Sequence, residues 1–447
     1  MSTLSGSTKA SGSKVRMTSQ QKKSFFAAWA GWGLDGLDSF IYALVLVPAL
    51  RELLPRSGIE ATQGNVGSYG ALLFSLFMVG WGVALLWGPI ADRFGRVRTL
   101  TFTILWFSVF TFAAALSTGV WTLALFRFLA GIGIGGEWSI GASLVNEAWP
   151  EERRAFGGGL MHTGYYFGFV VAALANYIIT PLSFNIGTYE IHGWRLMFVA
   201  GGLPALLVAW IRRSVHEPER WENAVKLLGE KWSMQKAFFG GFTPEYRRRT
   251  ILNSVYMLAS ISGLWAGSAY VPAAVTYIVT NGGGSAAEAA RLASWAGGIL
   301  AVGTILGALL SPFLGEWLGR RGALAFFYGL MLIFIPLAFG HVFYMGGPDA
   351  LFWFMVCTFF LGIGGASFAV YSFWLPEQYR TEFRVSAFAF TTNIGRFIGA
   401  GIALLLAWGV REYGSVGVPV AWTAIAFVLA MVLLPLGVET KGKGLPA

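Results

Sequence analysis

The sequence predicts an all-α membrane protein with twelve transmembrane helices in two pseudo-symmetric six-helix bundles. Of its 447 residues, 55% are hydrophobic and 12% are charged, whereas about 25% of the residues in a soluble globular chain are charged. Apolar stretches of roughly 20 residues, long enough to span a bilayer, recur along the chain. Basic residues cluster in alternate loops, as they do in multi-pass proteins.

Twelve segments satisfy the length requirement for a spanning helix. We place them at residues 25–50, 67–90, 98–118, 121–148, 156–180, 195–213, 250–280, 292–315, 322–344, 350–375, 385–410 and 418–437. The first is too long for a signal-peptide core and lacks a cleavage site, so we interpret it as a retained span. The predicted domains are an N-terminal tail (1–24), a first bundle (25–213), a linker (214–249), a second bundle (250–437) and a C-terminal tail (438–447).

The loop charges predict the orientation. Of the 32 Lys and Arg residues, 25 fall in tails and loops that the twelve-span arrangement places on one side. Basic loops mark the cytoplasmic side, so we expect both termini there, in a bacterial inner membrane. The same bias accounts for the net charge of +10, which suits contact with the lipid bilayer and requires no nucleic acid.

The predicted linker contains an amphipathic helix. Trp221, Val225, Leu228 and Trp232 recur at i, i+4, i+7 and i+11, which places them on one helical stripe. Such a helix is expected to lie at the inner membrane surface. A solvated linker helix is the alternative.

A charged loop motif follows the second span. It runs from Gly88 to Arg96, with Asp92 at the end of the span and Arg93 and Arg96 in a tight turn that Gly95 permits. Such a charge cluster can hold one arrangement of helices closed and release it in another. We therefore predict a conformational latch here; a mere topology signal is the alternative.

A second, altered copy of this motif follows the eighth span. It runs from Pro312 to Arg320, 224 positions after the first, with Pro312 for Gly88 and Glu316 for Asp92. Repeats at half the chain length are typical of transporters, whose site lies between two moving halves. Glu316 and Arg320 are accordingly assigned to the latch.

Three acidic residues lie inside predicted spans. Asp35 and Asp38 are separated by one helical turn in the first span, so both carboxylates lie on one helical face, and Glu137 lies in the fourth span. Because a charge in a bilayer is costly, such residues normally face a cavity or a partner. We predict that these carboxylates handle protons; a structural pair neutralised by an arginine is the alternative.

The candidate substrate-binding residues comprise two arginines inside spans and a set of polar aromatic and amide residues. They are Arg127, Arg396, His162, Tyr165, Asn253, Tyr256 and Tyr371. The planar fork of arginine suits a carboxylate, whereas structural roles are the alternative for all seven. The single cysteine, Cys357, excludes an intramolecular disulfide, and no metal-ligand spacing or cofactor motif is found.

These residues together resemble the metabolite:proton symporters of the major facilitator superfamily. The 88–96 motif is similar to the superfamily's G-x-x-x-D-R-x-G-R signature. Residues 35–38 resemble the D-G-x-D motif of the aromatic-acid:proton symporters, and residues 135–138 and 217–221 resemble the sialate/lactate:proton symporters. The resemblance implies a twelve-helix fold, proton-coupled uptake of a small organic anion, and a central cavity bordered by the first and fourth helices.

We therefore expect a monomeric transporter that moves a monocarboxylate of the lactate, sialate or aromatic-acid class together with a proton by alternating access. An uncoupled or proton-antiporting exporter of the same fold is one alternative. A non-transporting receptor or sensor is another. An enzyme is not expected, because no nucleophile–base set occurs in a water-facing segment.

The orientation can be tested with single cysteines introduced at Lys23, Lys226 and Lys443 in a Cys357→Ala background. The basic-loop bias places all three on the cytoplasmic side. An impermeant thiol reagent should label them in inside-out vesicles and not in intact cells. Labelling of any one of them from outside intact cells would contradict the twelve-span arrangement.

Overall fold

The protein is described here from a computed structural model that covers residues 17–186, 189–229, 232–347 and 349–446. The predicted N-terminal tail lies outside the described residues up to position 16, as do linker residues 230 and 231. The described chain is mostly helical. A β-hairpin of Ser183–Ile186 (β1) and Tyr189–His192 (β2) was not predicted.

The helices before the linker follow the predicted spans closely. They are α1 (Ser19–Arg56), α2 (Gln63–Val83), α3 (Trp87–Phe94), α4 (Arg96–Ala114), α5 (Val120–Ala148), α6 (Arg154–Ile179), α7 (Gly193–Gly201) and α8 (Ala205–Ser214). A short 3₁₀ turn, Ala84–Leu86, joins α2 to α3. The sixth predicted span is divided into α7 and α8 by a turn at Gly202–Pro204, since proline supplies no N–H to a continuous helix.

The linker and the later part of the chain are also helical. The elements are α9 (Glu219–Leu228), α10 (Met234–Gly240), α11 (Arg247–Ala269), α12 (Val271–Asn281), α13 (Ala286–Ile335), α14 (Asp349–Gly365), α15 (Ser367–Trp374), α16 (Arg384–Tyr413), α17 (Gly417–Trp422) and α18 (Ile425–Leu433). Helix α13 breaks at Gly319, whose φ of 80° lies in the left-handed region that favours glycine. A π-helical turn, Pro336–His341, extends its second part.

Within the described residues, seven helical segments are long and apolar enough to cross a membrane. They are Gly64–Phe94, Arg96–Ala114, Val120–Ala148, Gly193–Ile211, Ala287–Tyr344, Asp349–Gln378 and Gly417–Leu436. Four other long helices, α1, α6, α11 and α16, fall outside this group. These four carry most of the polar residues that the sequence singled out.

Helices α1 and α6 pack with their backbones in direct contact. A Cβ atom built on Gly168 of α6 would lie 1.9 Å from the carbonyl oxygen of Gly33, and one on Gly36 of α1 would lie 2.0 Å from that of Tyr165. Small residues allow such close approach between membrane helices. The polar face of α1 is therefore held at a fixed position against α6.

The end of the bundle that carries the 88–96 and 312–320 loops is called the motif end below. The hairpin lies at the other end, where Glu52 binds Arg195 at 2.8 Å and accepts a hydrogen bond from Trp194 Nε1 at 2.7 Å. Burial of Glu52 opposes ionisation, but these hydrogen bonds outweigh it and lower the pKa of the carboxyl below its usual value. The contacts tie the end of α1 to α7.

The predicted linker helix is shorter than expected, and its apolar stripe packs partly on the protein. Helix α9 ends at Leu228, before Gly229 with its φ of 48°, so Trp232 lies beyond it. Trp221 donates from Nε1 to the carbonyl of Asp92 at 2.7 Å, and Trp232 donates to that of Glu382 at 3.1 Å. Both tryptophans therefore pack on the motif end of the protein, and a membrane-surface position of α9 stays a prediction.

The close contact between α1 and α6 predicts that Gly168→Ala is strongly destabilising. The added methyl group would overlap the backbone of α1, and overpacking of this kind costs on the order of 1–3 kcal/mol or more. Gly298→Ala is the matched control, because nothing lies within 4 Å of the methyl group added to that helical glycine. Thermal unfolding in detergent should separate the two variants. Equal melting temperatures would show that the backbones are not in contact.

Candidate functional site

One face of α1 presents polar atoms to the protein interior. Trp32, Asp35 and Tyr42 lie within about 80° of one another around the helix axis and are almost fully buried. Within the described residues, the Trp32 Nε1, both Asp35 carboxylate oxygens and the Tyr42 hydroxyl have no hydrogen-bond partner. Buried polar atoms are nearly always paired, so this face has the chemistry of a site for a polar ligand or a proton.

Asp38, one turn further along α1, has a very different environment. Arg127 of α5 binds both of its carboxylate oxygens, with three N–O distances of 3.1–3.2 Å, and Thr111 donates a further hydrogen bond. The guanidinium also lies over the rings of Tyr42 and Phe77, at 4.5 and 4.6 Å from their centroids. Removing one partner of a buried pair typically costs about 3–5 kcal/mol, so Asp38 and Arg127 form a closed ionic unit.

Glu137 is buried between α1, α4 and α5. Its Oε1 accepts a hydrogen bond from Thr103, whereas Oε2 has no partner in the described part of the chain. A Cβ atom built on Gly31 would lie 2.9 Å from Oε2, so this oxygen faces α1 one turn before Asp35. Two incompletely paired carboxylates are therefore associated with α1: Asp35, which belongs to it, and Glu137, which faces it from α5.

Arg396 of α16 has no carboxylate partner among the described residues. Its guanidinium carbon lies 3.7 Å from the ring centroid of Trp81, and Nε donates weakly to Asn393 Oδ1 at 3.4 Å. The side chain is buried. A buried cation held by an aromatic face can accept an anionic ligand.

Aromatic rings form the wall beside Asp35. Trp32 packs against Tyr165, Trp138 and His162, with centroid distances of 4.8, 5.6 and 5.8 Å. His162 lies parallel to Phe368 at 6.3 Å, and its Nδ1 has no partner within the described residues. The structure thus brings His162 and Tyr165 to the Asp35 face, as expected of cavity residues.

The predicted binding residues of the second half are engaged by the protein. Asn253 donates from Nδ2 to Gln378 at 3.1 Å and to the Tyr379 hydroxyl at 3.0 Å. Tyr256 donates to the carbonyl of Leu433 at 2.7 Å. These contacts use the polar atoms that a substrate would need, so we leave Asn253 and Tyr256 out of the proposed binding set.

Tyr371 is likewise occupied by its neighbours. Its hydroxyl lies 3.1 Å from Ser260 Oγ and is hydrogen-bonded to the hydroxyl of Tyr328. Tyr328 donates in turn to the backbone carbonyl of Tyr256 at 2.7 Å. The hydroxyls cross-link helices of the second half, so Tyr371 is also left out.

At the motif end, the first loop motif contacts the second half directly. The carboxylate of Asp92 accepts from the N–H groups of Val385 and Ser386, at 3.2 and 2.8 Å, and from the Ser386 hydroxyl at 2.6 Å. A Cβ atom built on Gly88 would lie 2.6 Å from Ser386 Cα. Asp92 therefore binds the N-terminus of α16, where the helix dipole favours a negative charge.

Arg96 completes this contact through Glu147 at the end of α5. Glu147 binds Arg96 at 2.9 and 3.0 Å and Arg384 of α16 at 2.6 Å. Arg96 also donates to the carbonyl of Thr381 at 2.8 Å. Among the described residues, no hydrogen bond or ion pair joins Arg93 to this cluster; its guanidinium carbon lies 5.8 Å from the Phe94 ring centroid. The motif end is thus closed by a buried ionic network between the two halves.

The second copy of the motif builds a similar pair within its own half. Arg320 binds Glu377 at 2.8 and 2.9 Å and Glu316 at 2.9 Å. Pro312, which stands where the first copy has Gly88, packs against Gly159 of α6; a Cβ atom there would lie 2.8 Å from the proline ring. The glycine needed for close approach therefore comes from the opposite helix.

Two further carboxylates cap the helices that follow the motifs. Glu217 accepts from the N–H groups of residues 96–98 at 2.7–3.1 Å, and Glu439 accepts from those of Arg320 and Arg321 at 3.0 and 3.2 Å. Burial raises the pKa of Glu217. Glu439 is less enclosed, and although burial opposes it, its backbone hydrogen bonds lower the pKa of the carboxyl.

The sequence profile of the Major Facilitator Superfamily matches residues 28–374. The chain belongs to this superfamily. This chain is 27% identical over 426 residues to the probable 4-methylmuconolactone transporter of Cupriavidus pinatubonensis. The alignment covers 95% of this chain and 92% of the relative. The chain is 26% identical over 429 residues to the sialic acid transporter NanX of Escherichia coli, covering 95% of each chain.

Solved structures agree on the fold. The proton:xylose symporter XylE of E. coli bound to 6-bromo-6-deoxy-D-glucose matches with a TM-score of 0.71 at 19% identity, over 96% of this chain and 98% of that chain. The expected family is confirmed. The protein is a multi-pass membrane transporter of the metabolite and organic-acid type, and its relatives are transporters rather than enzymes.

The Asp92 contacts predict that Asp92→Asn opens the motif end of this superfamily member. Hydrogen bonds to a charged group are worth about 1.5–3 kcal/mol, so their loss should shift the equilibrium between closed and open states roughly tenfold or more. A cysteine at Thr381, which is buried at this contact, should then react faster with a maleimide in a Cys357→Ala background.

The matched control is Glu316→Gln at the equivalent position of the second motif. Glu316 is 58% exposed and bonds only Arg320 among the described residues, so its neutralisation should leave the labelling rate almost unchanged. A parental labelling and transport rate for Asp92→Asn would show that the first motif is a topology signal and not a latch.

Proposed function

We propose that this transporter carries out proton-coupled symport of a small organic monocarboxylate by alternating access. The observation that carries the proposal is the uneven pairing of the buried charges. Asp38 and Arg127 neutralise each other. Asp35 and Arg396 have no charged partner within 4 Å in the described part of the chain, so one can take up a proton and the other an anion.

The charge balance explains why the two would move together. An unpaired charge in a bilayer interior costs several kcal/mol. A carboxylate substrate at Arg396 neutralises that cation but deprives the nearby acidic face of its compensating charge. Protonation of Asp35 then restores the balance, so anion binding raises proton affinity, and by reciprocity proton binding favours the anion.

Arg127 receives a narrower role than a direct substrate contact. Its guanidinium is occupied by Asp38 and enclosed by the rings of Tyr42 and Phe77. We assign it to compensating Asp38 and holding α1 against α5. Arg396 is the anion-binding residue, Asp35 the proton carrier, and Glu137 the second candidate for the proton.

The wall of the site favours a substrate with an apolar, planar body. The rings of Trp32, Trp138, His162, Tyr165 and Phe368 offer faces and edges for stacking. These five side chains themselves offer two unpaired polar atoms, Trp32 Nε1 and His162 Nδ1, among the described residues, whereas a sugar acid needs many hydrogen bonds. Within the lactate, sialate and aromatic-acid class, this lining supports an aromatic or unsaturated monocarboxylate.

Twelve spans remain our interpretation of the topology. The segment Ala287–Tyr344 has 58 residues, about 87 Å of helix, and breaks at Gly319, so it accounts for two crossings. Together with the other apolar segments and the four polar helices, it supports the two six-helix bundles. The basic loops favour a cytoplasmic motif end in a bacterial inner membrane, and its closure corresponds to an outward-facing state.

The proposal is tested with purified protein in liposomes, using radiolabelled benzoate, lactate and N-acetylneuraminate as probes. An inward proton gradient should drive accumulation of benzoate above the level reached in protein-free liposomes. Asp35→Asn should abolish this accumulation but retain exchange of external for internal benzoate, because exchange needs no net proton movement. Arg396→Gln should lose both activities, since it lacks the cation that binds the carboxylate.

Glu412→Gln is the matched control, because this exposed carboxylate lies at the end of α16, away from the Asp35 face. It should accumulate benzoate as the parent does. Accumulation by Asp35→Asn equal to that of the parent would exclude Asp35 as the proton carrier. Efflux of all three preloaded probes, driven by the same gradient, would favour the antiporting exporter instead.

A further inference from the structure

Trp138 lies where the candidate site meets the contact between the two halves of the chain. Its ring packs against Trp32 of α1 and His162 of α6, and also against Phe368 and Phe388 of the second half, with centroid distances of 5.4–5.7 Å. It is 2% exposed. A change in the occupancy of the aromatic wall therefore reaches a residue that touches both halves.

The polar end of Trp138 closes that contact. Its indole Nε1 donates to the hydroxyl of Ser372 on α15 at 2.8 Å. The carbonyl of the same serine accepts a second hydrogen bond, from Asn146 Nδ2, also at 2.8 Å. Both donors lie on α5, so one helix of the first half binds Ser372 through both its side chain and its backbone.

The positions of Trp138 and Asn146 along α5 suggest a function for these two hydrogen bonds. From Trp138 to Asn146 the helix rises about 12 Å, and Glu147, which binds Arg384, follows at once. The bonds that Trp138, Asn146 and Glu147 make to the second half thus follow one another along α5 from the candidate site to the motif end. Separation of α5 from α15 breaks the Trp138 hydrogen bond, and a buried N–H without an acceptor is costly.

We propose that Trp138 is the gate residue that makes opening of the motif end depend on substrate. An oxygen of the bound carboxylate replaces the Ser372 hydroxyl as the acceptor of the indole N–H, and this exchange releases α15 from α5. A ligand that lacks an acceptor oxygen fills the aromatic wall without releasing the gate. The inference deepens the proposed function and rests on it for the nature of the ligand.

The test removes each side of the hydrogen bond separately. Trp138→Phe retains a ring but lacks the N–H, and Ser372→Ala lacks the acceptor. Each variant is combined with a cysteine at Thr381 in the Cys357→Ala background, and the rate of maleimide labelling is measured with and without benzoate. Without benzoate, both variants should label several-fold faster than the parent, and the double variant no faster than either single one.

Benzoate should accelerate labelling of the parent and have little further effect on Trp138→Phe. Toluene, which has the ring but no carboxylate, should accelerate neither. Trp106→Phe is the control, because its indole donates at 2.8 Å to the carbonyl of Leu129, within the first half. It loses a comparable hydrogen bond but should label at the parental rate.

Ser372→Thr restores the hydroxyl and should return labelling toward the parental rate, which a general loss of stability would not do. Parental rates in Trp138→Phe and Ser372→Ala, or effects that add in the double variant, would overturn the gate. The outcome is independent of coupling: labelling reports the gate even if Asp35→Asn still accumulates benzoate, and liposome accumulation reports coupling even if the gate variants label normally.

Discussion

The ion pair between Asp38 and Arg127 determines the charge state of the whole interior. It joins α1 to α5 at a depth where neither charge could remain alone, and two aromatic rings enclose the cation. With this pair neutral, the remaining charges around the candidate site are two incompletely paired carboxylates on or beside α1, and one arginine on α16. The roles proposed for Asp35, Glu137, Arg127 and Arg396 depend on that separation into one fixed pair and free groups.

Much of this arrangement could be predicted from sequence because it is local. Hydropathy located the apolar segments to within a few residues, and the turn glycine with its flanking charges marked the loop motif. The i, i+3 spacing placed Asp35 and Asp38 on one face. It could not tell them apart, since the difference lies in Arg127 and Thr111, residues 89 and 73 positions away. The twelve-span count and the symmetry of the halves stay predictions.

The residues that were missed, and those left out of the proposed binding set, share a physical reason. Glu147 and Arg384 meet across 237 positions of sequence, and nothing in the local pattern of either one indicates the other. Asn253, Tyr256 and Tyr371 have the residue types of a binding site, but their polar atoms bond to neighbouring helices. In a medium without water, a polar residue is equally useful for cross-linking helices and for binding a ligand, so only the contacts decide between the two.

The two loop motifs, although related in sequence, hold the protein together in different ways. The first reaches across to the N-terminus of α16, whereas the polar contacts of the second stay within its own half among the described residues. The second motif therefore adds no polar contact between the halves among the described residues, and the closed state depends on the first motif and on Glu147, which binds both Arg96 and Arg384. Evolution could therefore change the resting preference of such a carrier by substitutions around the first motif, while the second motif continues to stabilise its own bundle.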